Sequence, residues 1–161
     1  MYESDLDIII RVLVGVALSG ILGWERETSG KAAGLRTHIL VGISAVLFVV
    51  IGEHMAVSFR VYGDHARFDA ANLVGAIVTG ISFLGAGMII FNRNVTNVEG
   101  LTTAAGIITT AAIGTLVGLE RYVVAVGTTG IVFVVLRIAG YLELKNRVEK
   151  IKEAAREPDQ P

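Results

Sequence analysis

The chain contains no cysteine among its 161 residues. Disulfides, thiolate metal sites, iron–sulfur ligation and cysteine nucleophiles are therefore excluded. Its two prolines both lie in the closing EPDQP, a segment expected to fray. No HExxH, GxSxG or phosphate-loop motif occurs. An intramembrane hydrolase would also need a nucleophile or a carboxylate pair in mid-span, and neither is found, so a non-enzyme is expected. Only three histidines occur, His38, His54 and His65. The last two are spaced too loosely for a metal pair and read as incidental. No cofactor is called for, and the sequence assigns no metal ligands.

What the chain does have is apolar residues, 53% of the total, with a mean hydropathy of +0.64. They fall in long blocks rather than at a period of 2.0 or 3.6, which marks membrane-embedded segments. A span needs about 17–25 apolar residues, and five candidates satisfy that: Leu6–Trp24, Leu35–Gly52, Ala70–Phe91, Leu101–Leu119 and Tyr122–Leu142. The expected fold is all-α, a compact bundle of five transmembrane helices over residues 1–142, followed by a short cytoplasmic tail over 143–161. The N-terminus carries Glu3, Asp5 and Asp7 where a signal peptide would be basic, so the first run reads as a retained span.

Lys and Arg between spans set orientation. With the N-terminus outside, nine cations fall on the inner side: Arg26, Lys31, Arg36, Arg93, Lys145, Arg147, Lys150, Lys152 and Arg156. The outer side holds three, Arg60, Arg67 and Arg121. N-out, C-in follows.

Small residues recur every four positions along the fourth span (Thr102, Gly106, Thr110, Gly114, Gly118) and along the first (Gly15, Ser19, Gly23). Such faces let helices approach closely. The third span has Gly75, Thr79 and Gly80, then Gly85-Ala86-Gly87, where a loosened helix could line a site with carbonyls. Arg11 shares the face of Gly15, Ser19 and Gly23; it either pairs within the membrane or snorkels to the headgroups. Arg137, near the inner end of the fifth span, is expected to snorkel. No Asp or Glu lies within the apolar core of any of these spans, which makes a poor path for a cation that prefers carboxylate oxygens.

Three blocks, GWERE…GKAAGLRTHILVG, TGISFLGAGMII and VEGLTTAAGIITTAAIG, occur in this order on corresponding spans. Together they resemble the MgtC/SapB family of bacterial inner-membrane proteins, over roughly Leu13 to Leu119. The resemblance implies an MgtC-type membrane domain linked to magnesium homeostasis and growth at low Mg²⁺. It implies a regulator of other membrane machinery, such as the rotary ATP synthase or transporters, with an ion transporter or channel subunit of the same fold as the alternative. The family motif falls on Glu25, Arg26, Gly34, Leu35, Arg36 and Thr37, on Gly80, Phe83, Leu84, Gly85, Ala86 and Gly87, and on Gly100, Leu101, Thr102, Thr103, Ala104 and Ala105, with Asn97 shared by some members. Asn72 and Ala76 stand where an Arg and a Gln are frequent, and Glu99 where a basic residue is common. Many relatives carry an ACT-type C-terminal domain; none is expected in this chain.

The expected partners are the lipid bilayer, another membrane protein and a second copy of the chain, with a dimer favoured and no nucleic acid. The tail places Leu144, Val148, Ile151 and Ala155 on one helical stripe. The loop after the first span mixes both signs of charge, and an ion pair between Glu25 and Arg36 across the turn is one expectation. A docking site including Lys31 and Thr37, and simple topology control, are the others.

Overall fold

The computed structural model describes residues 4–60, 69–91 and 100–154. These form five α-helices: α1 (Asp5–Thr28), α2 (Leu35–Arg60), α3 (Ala70–Phe91), α4 (Leu101–Gly118) and α5 (Tyr122–Ala154). All five are long and apolar enough to cross a membrane. The architecture is all-helical, as expected. Three boundaries move: α1 runs one turn past Trp24, α2 runs two turns past Gly52, and α5 continues through the first part of the tail. Ala155 and the closing residues lie outside the described residues.

The helix ends are built by short-range chemistry. Ser4 caps α1 in a capping box with Asp7: its hydroxyl accepts from the Asp7 N–H at 3.3 Å, and its own N–H donates to the Asp7 carboxylate at 3.2 Å. Asp69 Oδ1 accepts from the N–H groups of Ala71 and Asn72 at the start of α3. α2 is capped from a neighbouring helix, because Glu27 Oε2 accepts the Leu35 N–H at 2.8 Å. α4 starts at Gly100, whose φ of 101° is open to glycine and strained for other residues. Between α4 and α5 the chain reverses through Leu119, Glu120 and Arg121, with Glu120 at φ 58°. Threonine hydroxyls along the helices bond back to the carbonyl four residues earlier, as at Thr79, Thr109, Thr110, Thr115 and Thr129. A lipid-embedded helix can thus carry them without unsatisfied donors.

The core is the stack of α1 and α4 on α2. One buried cluster joins Leu18, Leu22, Val46, Val50, Ile113 and Val117, and takes in Ala125 and Leu136 of α5. A second joins Val41, Ala45, Ile107 and Ala111, with Ile77 of α3. α3 packs mainly on α4, while α5 lies on α1 and α4, and both turn most of their surface outward.

The small-residue faces of α1 and α4 are what bring the backbones together. A methyl at Gly114 would lie 2.5 Å from the Gly42 carbonyl oxygen and 2.9 Å from Ala45 Cβ. One at Gly118 would come within 2.7 Å of Val49 Cβ, and one at Gly23 within 2.8 Å of Leu35 Cα. Gly42, on α2 between them, is closed over by Ser19 of α1. α3 behaves differently. It runs unbroken through Gly85-Ala86-Gly87, so the loosening considered for that stretch does not occur. Gly85 meets Ala104 of α4, whereas Gly75, Gly80 and Gly87 have open space where a side chain would be.

Gly114→Ala is therefore expected to lose about 1–3 kcal/mol through overpacking, while Gly127→Ala, at an open position on α5, should lose nothing. Denaturant unfolding of the two variants in micelles tests this, and equal stability would contradict the packing described.

Candidate functional site

Two polar centres are embedded in the bundle, one at each end of the α1–α2–α4 stack. The first is built on Arg11. Its place on the Gly15, Ser19 and Gly23 face turns it into the helix interface, where it is 1% exposed. It does not snorkel. Nη1 donates to Glu53 Oε2 at 3.0 Å and to the Gly118 carbonyl at 2.7 Å, and Nη2 donates to Glu120 Oε1 at 2.7 Å. Gly118 closes α4, so its carbonyl is one of those left without an intrahelical donor, and a cation there also suits the helix dipole. One guanidinium thus ties α1, α2, the end of α4 and the α4–α5 turn. The side chains of Glu53 and Glu120 are 44% and 58% exposed, so the carboxylates stay half in solvent while the cation is enclosed.

Sequence reasoning missed both acids. Glu53 sits one residue past the drawn end of the second span, and Glu120 reads only as part of a tight turn. The longer α2 brings Glu53 inside a membrane-spanning helix after all.

The second centre lies where α1 turns into α2. Glu25 and Arg26 are 1% and 2% exposed and paired to each other, through Arg26 Nε and Glu25 Oε2. Ser29 Oγ donates to Glu25 Oε1 at 2.9 Å. The expected Glu25–Arg36 pair does not form: Arg36 is exposed and forms no ion pair among the described residues. Glu25 points into the interface, where its neighbour Arg26 already serves it, and the carboxylate that crosses the turn is that of Glu27. Gly34 packs on Glu27, where a methyl would lie 2.8 Å from Oε2. Thr37 is exposed beside Arg36 on the first turn of α2. Arg137 is exposed on α5 with its guanidinium 5.8 Å from the Phe133 ring centroid, and its charge reaches Glu25.

His38 belongs to this centre and was not singled out from the sequence. It is fully buried, with Gly23 of α1 against its Cβ and Gly106 of α4 facing its Nε2. Its Nδ1 lies 3.0 Å from the Gly34 carbonyl oxygen. The signal was present: His38 precedes Gly42 by one helical turn on the face that α1 and α4 cover. Thr103, also buried, continues the Gly106–Thr110 face of α4, and Thr102 is exposed next to it. The remaining candidates do not join either centre. Gly80 and Gly87 are on the open part of α3, Gly85 serves α3–α4 packing, and Asn97 lies outside the described residues. Among the described residues, no group of three or more His, Asp or Glu side chains is placed to hold a metal ion.

Removing Arg11 would leave the Gly118 carbonyl without its donor, a loss of about 1–3 kcal/mol for a buried group. Arg11→Met is expected to lose at least that much. A double-mutant cycle with Glu120→Gln should return a coupling of about 0.5–3 kcal/mol. Additive losses in thermal unfolding would show that the pair does not act.

The family model described as MgtC family matches residues 12–145. Among curated proteins, the chain is 36% identical over 132 residues to the Escherichia coli (strain K12) protein named "Putative magnesium transporter YhiD", covering 82% of this chain and 60% of that one. It is 33% identical over 150 residues to Protein SrpB of Synechococcus elongatus, covering 87% of this chain and 78% of the relative. It is 45% identical over 101 residues to Protein MgtC of Brucella abortus, covering 63% of this chain and 38% of that protein. The chain thus spans little more than half the length of YhiD and less than half that of MgtC. No solved structure matches. With five helices among the described residues long and apolar enough to cross a membrane, and the family model matched over most of its length, the chain is a multi-pass membrane protein that belongs to the MgtC family.

Proposed function

We propose that this protein is a non-enzymatic regulator in the bacterial inner membrane, linked to adaptation to low Mg²⁺. In this reading it acts by contact with another membrane protein, such as a rotary ATP synthase or a transporter, and associates with itself as a dimer. The observation that carries the reading is the state of the polar groups inside the bundle. The Arg11 guanidinium occupies the α1–α2–α4 interface at one end, and Glu25 and Arg26 neutralise each other at the other. Between them the backbones of α2 and α4 approach at glycine distance. Such groups act as packing locks. A seam closed at that distance has no room for Mg²⁺, which gives up its water shell reluctantly.

The second reading is a transporter or channel subunit, and the name of the YhiD relative favours it. Flux separates the two. Full-length folded protein in liposomes, beside a known Mg²⁺ channel, is expected to give no Mg²⁺ flux. Saturable flux that is lost in Arg36→Ala or Gly85→Leu would make the protein a transporter and overturn the regulator reading.

The reading also includes an outside N-terminus and an inside C-terminus, supported by the distribution of Lys and Arg between the spans. With no native cysteine, single cysteines are clean probes. Leu119→Cys in the α4–α5 turn should react with an impermeant maleimide in spheroplasts, and Ala32→Cys in the α1–α2 turn only after permeabilisation. The reverse pattern would invert the topology.

A further inference from the structure

His38 is buried at the meeting point of three helices, and its ring has a defined polarity. The Gly34 carbonyl can accept only from an N–H, so the nearby Nδ1 carries the hydrogen in the neutral ring. The lone pair is then on Nε2, which has no hydrogen-bond partner among the described residues and faces α4 at Gly106. A fully buried acceptor in that position carries its desolvation penalty with no hydrogen bond to offset it. An apolar side chain would fill the same space without that cost.

We propose that the buried imidazole of His38 is a proton-accepting site, and that its occupancy sets how closely α4 packs on α2 at that level of the bundle.

The groups around the ring define what a proton does there. From α1 it is approached by Gly23, and the charges of Arg26 and Glu25, paired with each other, both act on it. From α2 itself comes the Gly34 carbonyl, already used by Nδ1, while Arg36 is on the exposed side. α4 presents Gly106 with the neutral Thr103 and Thr110, and has no charged residue along its length. α3 has none either, and from α5 Arg137 acts on Glu25. One proton taken from hydronium forms a single N–H bond at Nε2, breaks one O–H bond and releases water, with no covalent bond of the protein broken. It turns the lone pair into a donor directed at α4 and adds a positive charge beside Arg26. Separation of α4 from α2 relieves both by admitting water to the new N–H. Glu25, drawn to the imidazolium, at the same time loosens its hold on Arg26. Acid is thus expected to open the α2–α4 seam at the turn end of the bundle and leave the Arg11 end closed. The inference stands apart from the regulator reading, since it needs neither a partner nor a transported ion.

The test uses the full chain in lipid nanodiscs with His54→Gln and His65→Gln, so that His38 is the only imidazole. ¹⁵N-histidine spectra follow protonation of Nε2 as the pH is lowered. Spin labels at Leu40→Cys and Ala105→Cys, exposed positions on α2 and α4, follow the seam in the same samples. The expected result is a lengthening of the label distance by about 1–2 Å, the scale of helix shifts in switching proteins, with the midpoint of the Nε2 titration. In His38→Gln the pH-dependent component should be lost. An Nε2 that stays unprotonated wherever the protein remains folded would overturn the proposal. So would a titration with no change in distance, or a distance change that survives in His38→Gln. Should His38→Gln not fold, the agreement or disagreement of the two midpoints in the parent protein decides the matter.

Discussion

The close contact between the backbone of α2 and those of α1 and α4 is the constraint on which everything else rests. It is set by absent side chains. Gly23 on one side, Gly114 and Gly118 on the other, and Gly42 between them leave no room for a methyl group. In a bilayer the lipid tails are as apolar as the helix surfaces, so burial of apolar side chains gives little drive for association. Dispersion contacts at short range must supply it, and they fall off steeply once a gap opens. The glycine-lined stack is therefore both the source of cohesion and the reason it tolerates so little change.

The polar residues follow from that stack. A seam this close has no room for solvent, so each polar group inside it needs a partner from the protein. Arg11 finds three oxygens from three segments, and Glu25 finds Arg26 and Ser29. Thr110 and Thr129 satisfy themselves against their own helix. Ser19 Oγ and His38 Nε2 depart from the pattern by lacking a partner among the described residues. Of these, only the imidazole has a basic nitrogen that can take up a proton.

Much of this was legible in the sequence, for physical reasons. The lengths of the apolar runs and the four-residue spacing of small residues are backbone properties, and they gave five helices and the packing faces of α1 and α4. The same spacing on α3 misled, because periodicity says that a face is smooth and not that a neighbour covers it. The Glu25–Arg36 expectation failed for a related reason. Sequence proximity across a turn allows a pair, but the rotation of each helix decides it, and Glu25 is turned inward while Arg36 is turned out. Glu53 and Glu120 were hidden because they follow Arg11 by 42 and 109 residues, and nothing local marks such a contact.

The arrangement around Arg11 also has a consequence for how the protein is made. A chain synthesised from its N-terminus delivers this cation to the bilayer first. Glu53 arrives with the second helix, but the Gly118 carbonyl and Glu120 come only at the far end of the fourth, more than a hundred residues later. Until then the guanidinium has at most part of its final shell and is held toward the water. Final seating of the first helix is thus tied to the arrival of the fourth, and a nascent chain halted after α3 would carry an open seam with a charge at its edge.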